Sequence, residues 1–252
     1  MARFYRALSF GPLSRKRVQA NNSSITNHHR FKHRKIFMTT SNTTTPKAPR
    51  RALVVIDVQM EYFNGGLLIE YPPVAQTLPN IGRAMDAART AGIPVVVVQH
   101  SESAAAPVFA KGSATWALHE AVASRPRDHY IEKSWPSVYT GTDFAAWLEQ
   151  HGIDTLTVVG YMTHNCDAST IFEATHRGLH VEFLTDATGS LPYANEAGSA
   201  SAEEIHRVFS VVFHSRFAAA GSTEAWTKAI EAGGRLEKSN ILVSNRAALA
   251  AR

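Results

Sequence analysis

The chain has 252 residues, 44% of them hydrophobic and 19% charged, with a formal net charge of +5 and a single cysteine. That is enough apolar material for one globular core; it excludes an internal disulfide framework, and no stretch approaches the roughly 20 consecutive apolar residues needed to span a bilayer. The charge is segregated: residues 1–51 hold 12 of the 26 Lys and Arg and no acid, leaving 14 basic against 21 acidic side chains, a balance of −7, in the rest, which argues against nucleic-acid binding by the folded body.

Residues 1–50 lack sustained periodicity and end in a polar, proline-containing stretch from Thr39 to Pro49, so they read as a disordered basic extension. Residues 1–37, rich in Arg and Ser and free of acids, have the composition of an organellar transit peptide; a solvated tail and a start at Met38 in place of Met1 are the competing readings. A lone thiol stays free only in a reducing compartment, so the expected location is the cytoplasm, or an organellar matrix if the transit reading holds.

From Arg51 onward apolar runs alternate with amphipathic segments. Ala52 to Ile56 reads as a strand buried on both faces, as do Pro94 to Val98, Thr155 to Val159 and Leu179 to Leu184. Weaker strands are expected at Tyr130 to Glu132 and Phe217 to Ala220. Ile81, Met85 and Ala88 mark one helix face closed by Gly92, and Phe144, Trp147 and Leu148 mark another closed by Gly152. Ala168, Ile171, Phe172 and Thr175 repeat the spacing before Gly178. A last long helix is expected to open at Ser201 with Glu204 three residues on, a capping box, and to bury Ile205, Val208, Phe209 and Val212. The folded unit is placed at 51–234, followed by a C-terminal tail, 235–252.

Strand and helix alternating in this way predict a three-layer αβα, doubly wound, Rossmann-like domain on a parallel sheet, whose ligand site lies beyond the carboxyl ends of the strands. The residues just after the apolar runs are Asp57, His100, Lys133, the loop Gly160-Tyr161-Met162-Thr163-His164-Asn165-Cys166, and Asp186. A carboxylate directly after five apolar residues suits Asp57 to accept and return a proton; capping the next turn is the alternative. Lys133 is placed to hold a thiolate or a neighbouring carboxylate, against the plainer reading of an exposed lysine. Cys166, read as lying in the first turn of a helix, has its thiolate favoured by unpaired N–H groups and the helix dipole, which lowers the thiol pKa; a buried structural cysteine is the bland alternative.

Acid, lysine and thiol in this order and spacing resemble the isochorismatase-like cysteine hydrolases of the isochorismatase/nicotinamidase superfamily. The resemblance is carried by Ala52 to Gln59, with Asp57 two before Gln59; by Phe63-Asn64-Gly65-Gly66-Leu67; by Glu132-Lys133; and by Gly160 to Cys166 followed by Thr170, Ala174, Gly178 and Asp186. It covers about Arg51 to Ala232. It implies a six-stranded parallel sheet, a catalytic triad of Asp57, Lys133 and Cys166, and a non-proline cis peptide just before Thr163. It further implies an oxyanion hole from the backbone N–H groups of Met162, Thr163 and Cys166. Relatives of this kind are dimers or tetramers, so a homo-oligomer is expected.

The resemblance implies amide or cyclic-amide hydrolysis of a small molecule through a thioester, because Cys166 and Lys133 are both retained. An isochorismatase-type ether hydrolase and a silent binding protein on the same fold are the alternatives. The segments Ile69 to Pro73 and Gly160 to Cys166 are most similar to a bacterial subgroup that includes streptothricin hydrolase. No metal and no cofactor is expected: the Asn64 to Val74 loop lacks the histidine of the nicotinamidase Asp-x-His pair, which leaves His100 as a single imidazole. Gln59, Tyr62, Phe63, Trp135, Tyr161 and His164 are the expected substrate contacts, with Tyr139 a further candidate wall. No nucleic-acid or membrane partner is expected; docking through the basic extension and redox sensing by Cys166 are the weaker readings.

Overall fold

The computed structural model describes residues 48–252. The readings of residues 1–37 as a transit peptide and of 1–50 as a disordered extension fall, apart from 48–50, outside the described residues.

Six parallel strands form one sheet in the order β3-β2-β1-β4-β5-β8. They are β1 (Arg51–Ile56), β2 (Val95–His100), β3 (His129–Lys133), β4 (Thr155–Tyr161), β5 (His180–Gly189) and β8 (Ala219–Gly221); a separate antiparallel hairpin pairs β6 (Tyr193–Asn195) with β7 (Gly198–Ala200). The first strand lies near the middle of the sheet; from it the chain winds outward to β3, then returns to β4 and winds the other way. The reversal point therefore lies between β1 and β4, and the carboxyl ends of those two strands carry Asp57 and the Gly160–Cys166 loop.

Alternation along β1 assigns the two faces. Ala52, Val54 and Ile56 join a core with Phe144, Trp147, Leu148, Ile171 and Phe213. Leu53 and Val55 join a second core with Ile81, Met85, Ala88 and Trp226. Helices α4 (Phe144–Gln150), α5 (Ala168–His176) and α6 (Ala202–Val212) therefore cover one face, and α2 (Val74–Thr90) and α7 (Thr223–Glu231) the other. Two short helices, α1 (Glu61–Asn64) and α3 (Glu120–Ala123), lie in the loops after β1 and before β3. The stops that the glycines signalled are present: Gly92, Gly152 and Gly178 all take positive φ just past α2, α4 and α5.

The expected strand at Phe217 to Ala220 begins later, at Ala219, because Phe213–Phe217 winds as a π-helical turn that continues α6. Ser201 caps α6 in the expected capping box. The buried face of that helix is only partly the expected one: Ile205 is buried and Phe209 packs on the first core, but Val208 and Val212 are 46% and 40% exposed and His206 turns inward. A histidine takes the inward position because its Nδ1 meets Thr163 Oγ1 at 2.9 Å. Nor is α6 the last helix, since α7 follows. The segment read as a tail carries Leu236, packed against the second core, and α8 (Ile241–Ala250), which buries no side chain. Among the described residues no helix is long and apolar enough to cross a membrane.

Candidate active site

Gly160 sets how closely β1 and β4 approach at the site. At φ +114° it adopts a conformation that favours glycine, and a Cβ there would stand 2.0 Å from the Ile56 carbonyl oxygen. The residue after Ile56 is Asp57, itself at φ +50°, a left-handed conformation that aspartate tolerates better than bulky residues. Its backbone N–H donates to Val98 O at 3.0 Å and its carbonyl accepts from Gln59 N at 2.8 Å. The side chain is thereby fixed at the sheet edge, fully buried.

Lys133, the last residue of β3, reaches across β2 to meet it. Its Nζ lies 2.7 Å from Asp57 Oδ2, 3.3 Å from Cys166 Sγ and 3.3 Å from His100 Nδ1. Both side chains of the Asp57–Lys133 pair are 0% exposed. Burial opposes the ammonium, yet the Asp57 carboxylate, the cysteine sulfur and their hydrogen bonds together raise its pKa above the ordinary lysine value. Lys133 is therefore a buried, charged lysine, not the exposed one of the plainer reading.

Cys166 differs from its expected setting. It sits in a π-helical turn, Thr163–Asp167, that precedes α5, and not in the first turn of the α-helix. Burial pushes its thiol well above the usual cysteine range; the negative Asp57 adds to this and Lys133 opposes it. This direction is opposite to the expected lowering of the thiol pKa. The non-proline cis peptide falls between Tyr161 and Met162, one bond earlier than expected. The Met162 carbonyl accepts from Asn165 N at 3.0 Å and Asp167 N at 3.2 Å, so the turn closes around it.

Asp167, which the sequence reading passed over, is fully buried with no hydrogen-bond partner for either carboxylate oxygen among the described residues. Burial and the charge of Asp57 push its carboxyl well above the usual carboxylate range, with Lys133 opposing. Two further groups, His206 buried and His164 partly buried, stay uncharged near neutral pH. Burial lowers His164 and His206 to about 4 each, with His206 adding to the shift at His164.

Cys166 opens onto a cavity of about 250 Å³ lined by Tyr62, Leu67, His100, Glu102, Val108, Phe109, Pro136, Met162, Asn165 and Tyr193. That volume suits a small molecule with an apolar body and few polar contacts. A larger surface groove of about 510 Å³ near Arg216 and Lys238 contains none of the three grouped residues, so size alone does not nominate a site.

Of the six expected substrate contacts, only Tyr62 lines the cavity. The Gln59 amide is consumed by backbone: Nε2 donates to His100 O at 2.9 Å and Trp116 O at 2.7 Å, while Oε1 accepts from His100 N at 2.8 Å. Tyr161 is fully buried with its hydroxyl 2.7 Å from Thr77 Oγ1, and Phe63 packs on Tyr161 and His119. Trp135 is 62% exposed and leaves its neighbour Pro136 to form the wall. His164 faces Ser190 and the Tyr193 ring behind the cavity, and Tyr139 packs on Phe144 and Arg177. Four of the wall residues that were missed, Glu102, Val108, Phe109 and Tyr193, come from the 101–119 loop and the β6–β7 hairpin, where no periodicity marks which side chains turn inward.

Asp57, His100 and Cys166 offer potential metal-ligand atoms within 4.8 Å of one another. The Lys133 ammonium already contacts all three, so the position a cation would take among them is filled by the protein's own positive charge. These residues do not fit a metal while Lys133 is in place.

The model of the isochorismatase domain matches residues 51–225. The chain is similar to a crystal structure of an isochorismatase-type protein from Burkholderia xenovorans LB400, at 63% identity and a TM-score of 0.81 over 81% of this chain and 99% of that one. It is 30% identical over 179 residues to YddQ of Bacillus subtilis, an uncharacterized isochorismatase family protein, covering 70% of this chain and 98% of YddQ. Streptothricin hydrolase of Streptomyces noursei is 32% identical over 137 residues, 54% of this chain and 49% of that enzyme. Strand order and these similarities agree: the chain belongs to the isochorismatase family of hydrolases.

Proposed function

We propose that the protein is a cysteine amidohydrolase that cleaves a C–N bond in a small amide or cyclic amide. The observation that carries this reading is the single ammonium that touches both a buried carboxylate at 2.7 Å and a buried thiol at 3.3 Å, on the wall of a cavity. A neutral thiol becomes a nucleophile only if a base removes its proton as it attacks, and Asp57 stands ready to do so. The similarity to a ureidoacrylate amidohydrolase, RutB of Methylobacterium radiotolerans, at 29% identity over 188 residues, supports an amide in preference to an ether.

In this mechanism Asp57 takes the Cys166 proton as sulfur bonds to the amide carbon. The resulting oxyanion is held by backbone N–H groups of Met162, Thr163 and Cys166. Collapse breaks the C–N bond, and the proton on Asp57 passes to the departing nitrogen. The acyl group is left as a thioester on Cys166. Asp57 then deprotonates a water that attacks this thioester; collapse releases the acid, and the proton returns to sulfur. Lys133 remains charged throughout and offsets whichever anion, carboxylate or thiolate, is present. The catalytic unit is taken as 51–234, with no metal or cofactor.

A panel of small primary amides and lactams, assayed for ammonia or amine release, tests the reading. Cys166→Ala and Lys133→Met should each abolish release from any amide the wild type cleaves. Wild-type turnover in Cys166→Ala would end the proposal.

A further inference from the structure

We propose that His100 is a positioning residue that holds the third N–H of Lys133 and so aims the ammonium at the Cys166 sulfur. An ammonium has three N–H donors and no lone pair. Around Lys133 Nζ the three acceptors are Asp57 Oδ2 at 2.7 Å, Cys166 Sγ at 3.3 Å and His100 Nδ1 at 3.3 Å. Each donor has one acceptor, so the group has no reason to rotate.

The imidazole is held from every side. Because the ammonium can only donate, Nδ1 must accept, which puts the ring proton on Nε2. That Nε2–H donates to Glu102 Oε1 at 3.0 Å. The ring edge rests on Phe109, with centroids 5.1 Å apart and planes at 74°. Gln59 clamps the backbone of the same residue through both its N–H and its carbonyl. Tautomer, ring plane and main chain are thus each set by a separate contact, the arrangement by which a carboxylate orients a histidine that acts on a third group. A spare acceptor in the cavity wall would need none of this.

The inference deepens the amidohydrolase reading, on which the role of Lys133 rests, but its test does not require a substrate. The chain has one cysteine, so the rate of iodoacetamide alkylation of the native protein at pH 8.5 reports the stabilisation of the Cys166 thiolate alone. His100→Leu removes the acceptor, whereas His100→Asn keeps a carbonyl oxygen close to the Nδ1 position. We expect alkylation of H100L to be about tenfold slower than wild type, equivalent to one unit of thiol pKa, and H100N to stay within about threefold. On an amide substrate, kcat should fall in H100L with KM little changed, and H100N should rescue kcat. If H100L does not fold, Glu102→Leu decides: it frees the ring without touching Lys133 and should slow alkylation about two- to threefold, the scale of one partly exposed pair. Wild-type or faster alkylation in folded H100L, no rescue by H100N, or an unchanged rate in E102L standing in for an unfolded H100L would overturn the assignment. A failure to hydrolyse any amide would leave these rates readable.

Discussion

Replacing Asp57 with alanine should cost about 3–5 kcal/mol of folding stability at pH 7, the usual penalty for leaving one member of a buried ion pair uncompensated. The estimate starts from the geometry: Lys133 and Asp57 side chains are both 0% exposed and 2.7 Å apart, so solvent cannot replace the lost carboxylate. The deficit has a definite pH dependence. In the wild type the Lys133 pKa is raised, so its contribution is fully present below the unfolded lysine value of about 10.4 and is lost as pH rises through the folded value. In the variant, burial without the carboxylate depresses the folded pKa, and the penalty shrinks as pH climbs from that value toward 10.4. The second effect narrows the gap between the two proteins by pH 10, and the first adds to it only above about 10.4. Urea unfolding at pH 7 and pH 10 measures it. A loss below about 1 kcal/mol at pH 7, or a gap that does not shrink at pH 10, would refute the claim that Lys133 depends on Asp57 for its charge.

Two other perturbations follow from the same geometry. Gly160→Ala places a methyl 2.0 Å from the Ile56 carbonyl, so β1 and β4 must separate at the site. We expect more than about 3 kcal/mol of destabilisation, or no soluble protein, by expression and thermal melting, and a near-wild-type midpoint would contradict the register of these strands. His206, buried and lowered to about 4, is protonated in the unfolded chain before the folded one. Stability is therefore lost as pH falls from about 6.5 toward 4, by about 3 kcal/mol for this group. In urea titrations between pH 7 and 4.5, His206→Asn should flatten that slope; an equal slope in both proteins would assign the acid loss elsewhere.

Much of the fold was legible because parallel strands buried on both faces leave near-continuous apolar runs, and β1, β2, β4 and β5 each do so. Their carboxyl ends then led to Asp57 and Cys166, with Lys133 close behind on a weaker strand. What escaped was whatever depends on one side chain meeting a distant group. Helix α7 has a short apolar face, little more than Trp226 and Ile230 four residues apart, and is anchored by Trp226, whose indole N–H donates to Glu182 Oε2 at 2.9 Å and Thr157 Oγ1 at 3.1 Å. The inward face of α6 is turned by a polar contact between His206 and Thr163, which hydrophobic spacing cannot encode. Gln59, read as a substrate contact, spends its amide on the main chain of β2 and of the loop at Trp116. The thiol pKa was read from a helix terminus, whereas burial and Asp57 decide it. His100 was visible at a strand end, but its third-acceptor role exists only once Lys133 is seen to cross β2.

The most direct measurement is peptide mass spectrometry of the protein quenched in acid during turnover of an amide it cleaves. The account predicts a hydroxylamine-labile acyl adduct on the peptide carrying Cys166, with the mass of the acid product less water, and none in Cys166→Ser under the same quench. Turnover with Cys166 free at every time point, or an adduct on another residue, would contradict it.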